Sequence, residues 1–165
     1  MKITCLVLSL VLLLFNSGLA RADICDDIDK IYRNAKQGFK AWKGAYDQDF
    51  EKTPQSSFVL PQADHCFVEG TTEQKYGFRR VTYGCTWVTK DLQAASAWYE
   101  NLVSSVSKCS IDPRSGQPSL RSYITASRVV TTFSFTTYAA AKVSGPRTSQ
   151  GGSFIDFSFS YLYKR

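Results

Sequence analysis

Residues 154–163 read FIDFSFSYLY, a stretch in which large apolar residues alternate with mostly polar ones. Side chains on a β-strand point alternately to the two faces of its sheet, so this pattern puts one face in a core and the other in water. The residues on the apolar face are Ile155, Phe157, Phe159, Tyr161 and Tyr163. A strand that is apolar on one face only is typical of an antiparallel sheet.

Further strands are predicted outward from this one. Within residues 78–88, the side chains of Val81, Tyr83, Cys85 and Trp87 share one face of a predicted strand. A polar turn is expected at 70–75, and a turn-rich segment at 144–153 precedes the last strand. The predicted strands are 57–60, 66–69, 78–88, 121–126, 129–143 and 154–163.

Two stretches have helical periodicity instead. The first apolar stripe consists of Ile28, Ile31, Tyr32, Ala35, Phe39, Trp42 and Tyr46. The second consists of Leu92, Ala95, Tyr99, Leu102, Val103 and Val106. We expect the first helix to begin with acidic residues at Asp26 and Asp27 and to end near Gly44. Thr89 or Asp91 can cap the second helix.

The predicted fold class is therefore α+β. We expect two helices packed on one face of an antiparallel sheet of about five strands, in the order α-β-β(-β)-α-β-β-β. The sequence shows no internal repeat, and its length suits one domain with a core of its own.

The N-terminus has the pattern of a cleavable signal peptide. Lys2 is followed by an apolar run from Ile3 to Phe15 and then by Ala20-Arg21-Ala22. The run is shorter than the about 20 residues that cross a bilayer, so we expect no transmembrane segment. The prediction is a signal peptide at 1–22 and a single domain at 23–165, in the periplasm or secreted. A lipid anchor on Cys25 is disfavoured because the bulky Ile24 precedes it.

Four cysteines remain after the leader, and an even number in a short exported chain indicates two disulfides. Three pairings are open to four cysteines. Cys66 and Cys85 lie on consecutive strands where they can oppose each other, whereas Cys25 and Cys109 lie at helix ends that meet if the helices pack antiparallel. We therefore expect Cys66–Cys85 and Cys25–Cys109.

Three motifs carry a resemblance to a known group of proteins. They are LPQADHC at 60–66, YGCTW at 83–87, and Tyr99-x-x-Leu102-x-x-x-Val106-x-x-Cys109. Together they resemble an uncharacterised family of small exported Gram-negative bacterial proteins with the pattern LPxAxxC, YxCxW and YxxLxxxVxxC. The resemblance implies a periplasmic, disulfide-bonded domain and no particular activity.

No catalytic, metal-binding or cofactor-binding residue is predicted. His65 is the only histidine of the chain and precedes Cys66, which would suit a Cys–His nucleophile. A disulfide is the simpler role for Cys66, because neighbours on a strand point to opposite faces. The chain contains one histidine and no Cys-x-x-Cys, which disfavours a zinc site.

A basic surface is the candidate binding site. The sector beside the first apolar stripe carries Lys30, Arg33, Lys36, Lys40 and Lys43, and no acidic residue is expected among them. It either solubilises the surface or docks a protein partner with an acidic surface. Nucleic acid is not an expected partner outside the cell. The alternating face of Val130, Thr132, Ser134, Thr136 and Tyr138 is either the wet side of a sheet, a recognition surface or an edge for strand addition.

The leading functional hypothesis is a non-enzymatic periplasmic protein that binds another macromolecule, such as an inhibitor or immunity-type protein. One alternative is a small periplasmic enzyme with carboxylate acid–base chemistry, which would need a deep pocket with two convergent acids. The other is a secretion-chaperone-like module for envelope assembly, which would need a broad exposed apolar groove.

Overall fold

The structure is a computed structural model that describes residues 23–46, 54–73, 78–112, 114, 116–125, 127–149 and 152–164. The predicted signal peptide at 1–22 lies outside the described residues. No helix in the described ranges is long and apolar enough to cross a membrane.

Helix α1 spans Ile24–Ala35 and is shorter than predicted. Asp23 caps it, since its carboxylate accepts a hydrogen bond from the Cys25 amide at 3.1 Å. The helix ends because the backbone turns left-handed at Gly38 and Phe39. A short 3₁₀ turn at Lys40–Trp42 and a strand then follow. Phe39 nevertheless remains fully buried, so the apolar stripe continues into the core without the helix.

Helix α2 spans Leu92–Val106 and agrees with its prediction. Its cap is Asp91, whose carboxylate accepts from the Ala94 amide at 2.7 Å. The buried positions Ala95, Leu102 and Val106 come from the predicted stripe. Cys109 follows the helix and is also buried.

The sheet has eight strands, rather than about five. They are β1 Lys43–Tyr46, β2 Pro54–Ser56, β3 His65–Glu73, β4 Phe78–Thr89, β5 Ser119–Ile124, β6 Val129–Ser134, β7 Ala139–Ser149 and β8 Gly152–Lys164. All neighbours pair antiparallel, in the order β1-β2-β3-β4-β8-β7-β6-β5. The order of elements along the chain is therefore α-β-β-β-β-α-β-β-β-β.

The differences from the prediction have local causes. The expected long strand at 129–143 is a hairpin of β6 and β7, closed by Thr136, whose hydroxyl accepts from the amides of Tyr138 and Ala139. That turn contains neither glycine nor proline, so nothing in the pattern marked it. β1 and β2 are too short to show alternation, and residues 57–60 form a bend instead of the expected strand.

The strand order contains a repeat that the sequence does not show. In the residues that the structure describes, each half consists of one α-helix followed by four antiparallel strands. From one edge to the centre of the sheet the strands are β1, β2, β3 and β4. From the other edge to the centre they are β5, β6, β7 and β8. β4 and β8 meet at the centre and are antiparallel, so strand order and direction are those that a two-fold axis perpendicular to the sheet would give.

One core joins both halves. Both helices pack on the same face of the sheet, which we call the helix face, as predicted. Its largest buried side chains include Tyr83, Phe39, Phe133, Phe157 and Phe159. The apolar side chains of the alternating strands point to this face, as the pattern at 154–163 indicated.

Both predicted disulfides are confirmed. Cys66 and Cys85 face each other directly across β3 and β4. Cys25 in the first turn of α1 is bonded to Cys109 after the end of α2, so the two helix ends meet. Two disulfides in a small domain indicate an oxidising compartment outside the cytoplasm.

Candidate functional site

The face of the sheet opposite the helices, which we call the open face, carries the candidate site. Its outward side chains do not belong to the core cluster. Because the register is continuous, one row crosses six strands and consists of His65, Thr86, Asp156, Ser144, Val130 and Tyr123. Ser144 and Val130 in this row are buried, whereas the other four residues are partly or fully exposed. The outward faces of the strands therefore form a mostly polar surface on either side of these two residues.

Asp156 is fixed at the centre of this row by three partners. Thr86 donates a hydrogen bond to Oδ1 at 2.9 Å. Arg147 donates from Nε to Oδ2 at 3.1 Å, and Nη1 of Arg128 lies 3.6 Å from the same oxygen. These contacts link β4, β8, β7 and the residue before β6. The carboxylate is thus engaged in holding two arginines on the open face.

A groove of about 450 Å³ runs over β4 beside this network. We call it the aromatic groove; it is lined by Asp64, His65, Phe67, Glu69, Thr86, Val88, Arg147 and Phe154. On the β3 side, the ring of Phe67 lies across Gly84 and stacks at 6.3 Å on His65. On the β8 side, Cζ of Arg147 lies 4.9 Å from the ring centroid of Phe154. The groove therefore offers two aromatic rings, one of them paired with a cation.

Gly84 is the residue that makes room for this arrangement. A Cβ atom at this position would overlap the ring of Phe67. A glycine inside a strand often marks such a close approach. Two signals in the sequence could have indicated the groove. They are Gly84 inside a predicted strand and the alternation of His65, Phe67 and Glu69 along β3.

Among the open-face side chains that the structure describes, basic ones outnumber acidic ones. The basic residues are Arg80, Arg121, Arg128, Lys142 and Arg147, and the acidic ones are Asp64, Glu69 and Asp156. Since Asp156 is already paired with two arginines, Lys142 and Arg121 on the neighbouring row add positive charge toward solvent. The surface is therefore suited to an acidic partner.

A second cleft, of about 490 Å³, lies on the helix side near Cys25. Trp87 and Trp98 stack there at 6.0 Å, and Nε1 of Trp87 donates to the carbonyl of Pro61 at 3.1 Å. Asp23 is the acid in its lining. In the aromatic groove, the carboxylate of Asp64 accepts from the Val88 amide at 2.6 Å, so it holds the backbone. The aromatic groove thus has two acids in its lining, Asp64 and Glu69, of which Asp64 is engaged with the backbone of β4.

The predicted basic site is divided among three elements. Lys30 and Arg33 lie on α1, Lys36 follows it, Lys40 lies in the 3₁₀ turn, and Lys43 begins β1. Acids do lie among them, contrary to the expectation from the sequence. Lys30 is 2.9 Å from Asp27, which raises the pKa of Lys30 through this hydrogen bond and the charge of Asp27. Arg33 pairs with Asp29 at 2.7 Å.

His65 and Cys66 point to opposite faces of β3. Cys66 is buried and bonded to Cys85, whereas His65 contributes to the open face. The Cys–His nucleophile considered from the sequence is therefore wrong. Within the described ranges, no group of three or more His, Cys, Asp or Glu residues is placed to hold a metal ion.

Comparison with protein-family models, curated proteins and solved structures finds no match to this chain. The geometry of the open face is therefore the basis for a functional proposal.

Proposed function

We propose that the protein is a non-enzymatic binding protein of the bacterial periplasm, of the inhibitor or immunity type, whose open face docks onto another protein. One observation carries the proposal. An eight-stranded sheet keeps its helices on one face, and the opposite face carries the aromatic groove beside a fixed cluster of arginines.

The rigidity of the open face supports a docking role. The groove lies over β4, a central strand bonded on both sides to its neighbours along nearly its whole length. Arg147 is held by Asp156 and packs on Phe154, so its guanidinium loses little freedom on binding. Sites on such elements bind with a small entropic cost.

The chemistry of the surface indicates the partner. A groove with two aromatic rings fits an apolar or aromatic side chain, the usual anchor of a protein interface. The groove itself is lined by two acids, Asp64 and Glu69, and one cation, Arg147. Acidic groups of the partner are therefore expected at Lys142 and Arg121, on the part of the open face away from the groove. Such complementarity mainly steers association and fixes the orientation of the complex.

The compartment is part of the proposal. Two disulfides require an oxidising environment, and the resemblance of the three motifs to small exported Gram-negative proteins favours the periplasm within it.

The test compares two matched charge reversals. The protein serves as bait for envelope extract, and the affinity of the captured, purified partner is then measured for Lys142→Glu and Lys40→Glu. Both lysines are exposed, but Lys142 lies on the open face and Lys40 in the predicted basic segment. We expect Lys142→Glu to weaken binding by about tenfold at low salt, with Lys40→Glu near wild type.

The aromatic groove is tested by Phe67→Ala, with Leu92→Ala as control. Phe67 lines the groove, and Leu92 is a 52 % exposed apolar residue of α2. Circular dichroism confirms that both variants fold. Loss of affinity for Phe67→Ala alone supports the proposal. If Lys40→Glu weakens binding while Lys142→Glu and Phe67→Ala do not, docking takes place at the basic segment and the proposal is wrong.

A further inference from the structure

The strand β5 has an unpaired outer edge rich in apolar side chains. It is the last strand of the sheet, and in the described part of the chain no strand pairs with its outer side. All six residues of Ser119–Ile124 are exposed. Among them Leu120 is 50 % exposed, Tyr123 45 % and Ile124 83 %. An exposed apolar edge of this kind is a template for pairing with another strand.

The opposite edge of the sheet is protected in ways that β5 is not. β1 has four residues, begins with Lys43, and shows a register shift between Lys43 and Tyr46. Short length, lysine and irregular pairing are the usual means of blocking an edge. β5 has six residues, no proline, and an unbroken register with β6. The two edges are therefore not equivalent, although they occupy corresponding places in the strand order.

The side chains of β5 match those of a second β5 strand. Ser122 lies on the helix face, because its hydroxyl is 2.7 Å from that of Thr131, which contacts Tyr99 of α2. Leu120 and Ile124 share this face with Ser122. If two copies pair antiparallel about Ser122, Leu120 of each copy lies opposite Ile124 of the other. On the open face, Arg121 then lies opposite Tyr123.

Shifting this register by one pair in either direction removes the match. One shift puts Arg121 opposite Arg121, which is unfavourable because like charges face each other. The other puts Ile124 opposite Ser122 and leaves Leu120 beyond the end of the strand pair. The centred register joins apolar with apolar and a cation with an aromatic ring.

We propose that a second copy of this chain pairs with β5 in the centred register. The two sheets become one sheet of sixteen strands, eight from each copy, with a two-fold axis perpendicular to it. Both open faces then lie on the same side. One strand pair buries a small area, so the dimer is in equilibrium with the monomer and forms with rising concentration. This inference is independent of the proposed docking function.

The experiment is sedimentation equilibrium of the protein purified after expression of the full chain. Wild type is compared with two double variants, Leu120→Lys with Ile124→Lys and Leu120→Lys with Ile124→Glu. In the centred register the first variant sets lysine opposite lysine twice, whereas the second sets lysine opposite glutamate twice. We expect the first to weaken the dimer by about tenfold or more and the second to retain most of it.

The two variants are matched, since each puts charged residues at the same two exposed positions. Their melting temperatures report whether the fold is intact. Val59→Lys changes a 51 % exposed residue away from β5 and should leave dimerisation unchanged. A wild-type monomer at every concentration up to about 1 mM overturns the proposal, since that range covers even the weakest specific pairing. Equal dimerisation of the two double variants also overturns the proposal. A 1:1 complex in which a different protein pairs with β5 overturns it as well, and assigns the edge to strand addition by that partner.

Discussion

At the scale of single residues, Tyr83 shows how the core of the first half is specified. Its ring packs among Phe39, Trp42 and Phe58, with centroids 5.6–6.0 Å away. Its hydroxyl donates to the carbonyl of Phe58 at 3.1 Å. Burial raises the pKa of Tyr83 well above its usual range. The hydroxyl therefore stays protonated in the folded protein at pH values where an exposed tyrosine ionises.

Replacing Tyr83 by Phe tests this hydrogen bond. The change keeps the ring but leaves the Phe58 carbonyl without its donor, so we expect the free energy of unfolding at pH 7 to fall by about 1–2 kcal/mol. Urea unfolding with an unchanged m-value measures the loss. Tyr138→Phe, at a residue that is 48 % exposed, is the matched control and should change stability little.

The same residue gives a pH dependence. The folded state keeps the proton of Tyr83 and, less strongly, that of Tyr163, whose pKa is also raised by burial. The unfolded chain releases these protons above about pH 10, so it binds fewer protons than the folded chain and stability falls as pH rises. The contribution is complete below about pH 10 and is lost above it. Tyr83→Phe should therefore lose less stability than wild type between neutral and strongly alkaline pH.

The sequence predicted which residues are buried in the core better than it predicted which residues form the site on the surface. The alternation that placed Tyr83, Cys85 and Trp87 on one face is a property of the strand alone. The aromatic groove depends on Phe67 meeting Gly84 across two strands and Phe154 meeting Arg147 across two others. The predicted opposition of Cys66 and Cys85 already places Phe67 opposite Gly84. The pairing of Arg147 with Phe154 depends on the register of β7 on β8, which local periodicity does not encode.

At the scale of elements, the helix α1 is held at its N-terminal end by a disulfide and at its C-terminal end by a side chain. Cys25 is bonded to Cys109, and the hydroxyl of Tyr163 donates to the Ala35 carbonyl at 2.9 Å. The predicted helix was longer because Phe39 and Trp42 continue its apolar spacing. The left-handed residues Gly38 and Phe39 end it, and only the glycine was visible as a signal.

The two disulfides should differ in their effect on stability. Cys25–Cys109 closes a sequence separation of 84 and Cys66–Cys85 one of 19. In the chain-entropy model such loops stabilise by about 4.5 and about 3 kcal/mol, respectively. We therefore expect the double variant of Cys25 and Cys109 to serine to melt at a lower temperature than that of Cys66 and Cys85. Equal melting temperatures, or the reverse order, would show that burial of Cys66 and Cys85 in the core outweighs the loop entropy.

At the scale of the whole molecule, the two halves share one sheet and one core. β4 and β8 pair over twelve residues each, from Phe78 opposite Lys164 to Thr89 opposite Ser153. The core cluster includes Ile31 from the first half and Phe133 from the second. A repeat whose units meet along their longest strands is expected to unfold as one unit.

Hydrogen exchange measured by mass spectrometry checks this cooperativity. Val68→Ala on β3 removes a fully buried side chain of the first half and should reduce stability by about 2 kcal/mol. The opening free energy of peptides from β7, in the second half, should fall by the same amount. Unchanged protection of β7 would mean that the halves unfold separately.

The class of the fold and the pairing of the cysteines could be predicted, but the number of strands could not. Long strands such as β4 and β8 contain enough alternation to be recognised. The edge strands β1 and β2, at four and three residues, are defined by the neighbour with which they pair. The correspondence between the two halves lies in the order of their strands. The sequences of the two halves show no similarity from which it could be predicted.

The central position of β8 also determines when the molecule becomes complete. It follows every other described strand along the chain, yet it lies between β4 and β7. Until it inserts, the sheet is two separate four- and three-stranded pieces, and β4 and β7 each present a bare inner edge. Contacts so distant in sequence form slowly, and open edges invite aggregation in the interval. A polypeptide that emerges from a translocation channel with its N-terminus first would thus acquire its native sheet only after β8 has been released.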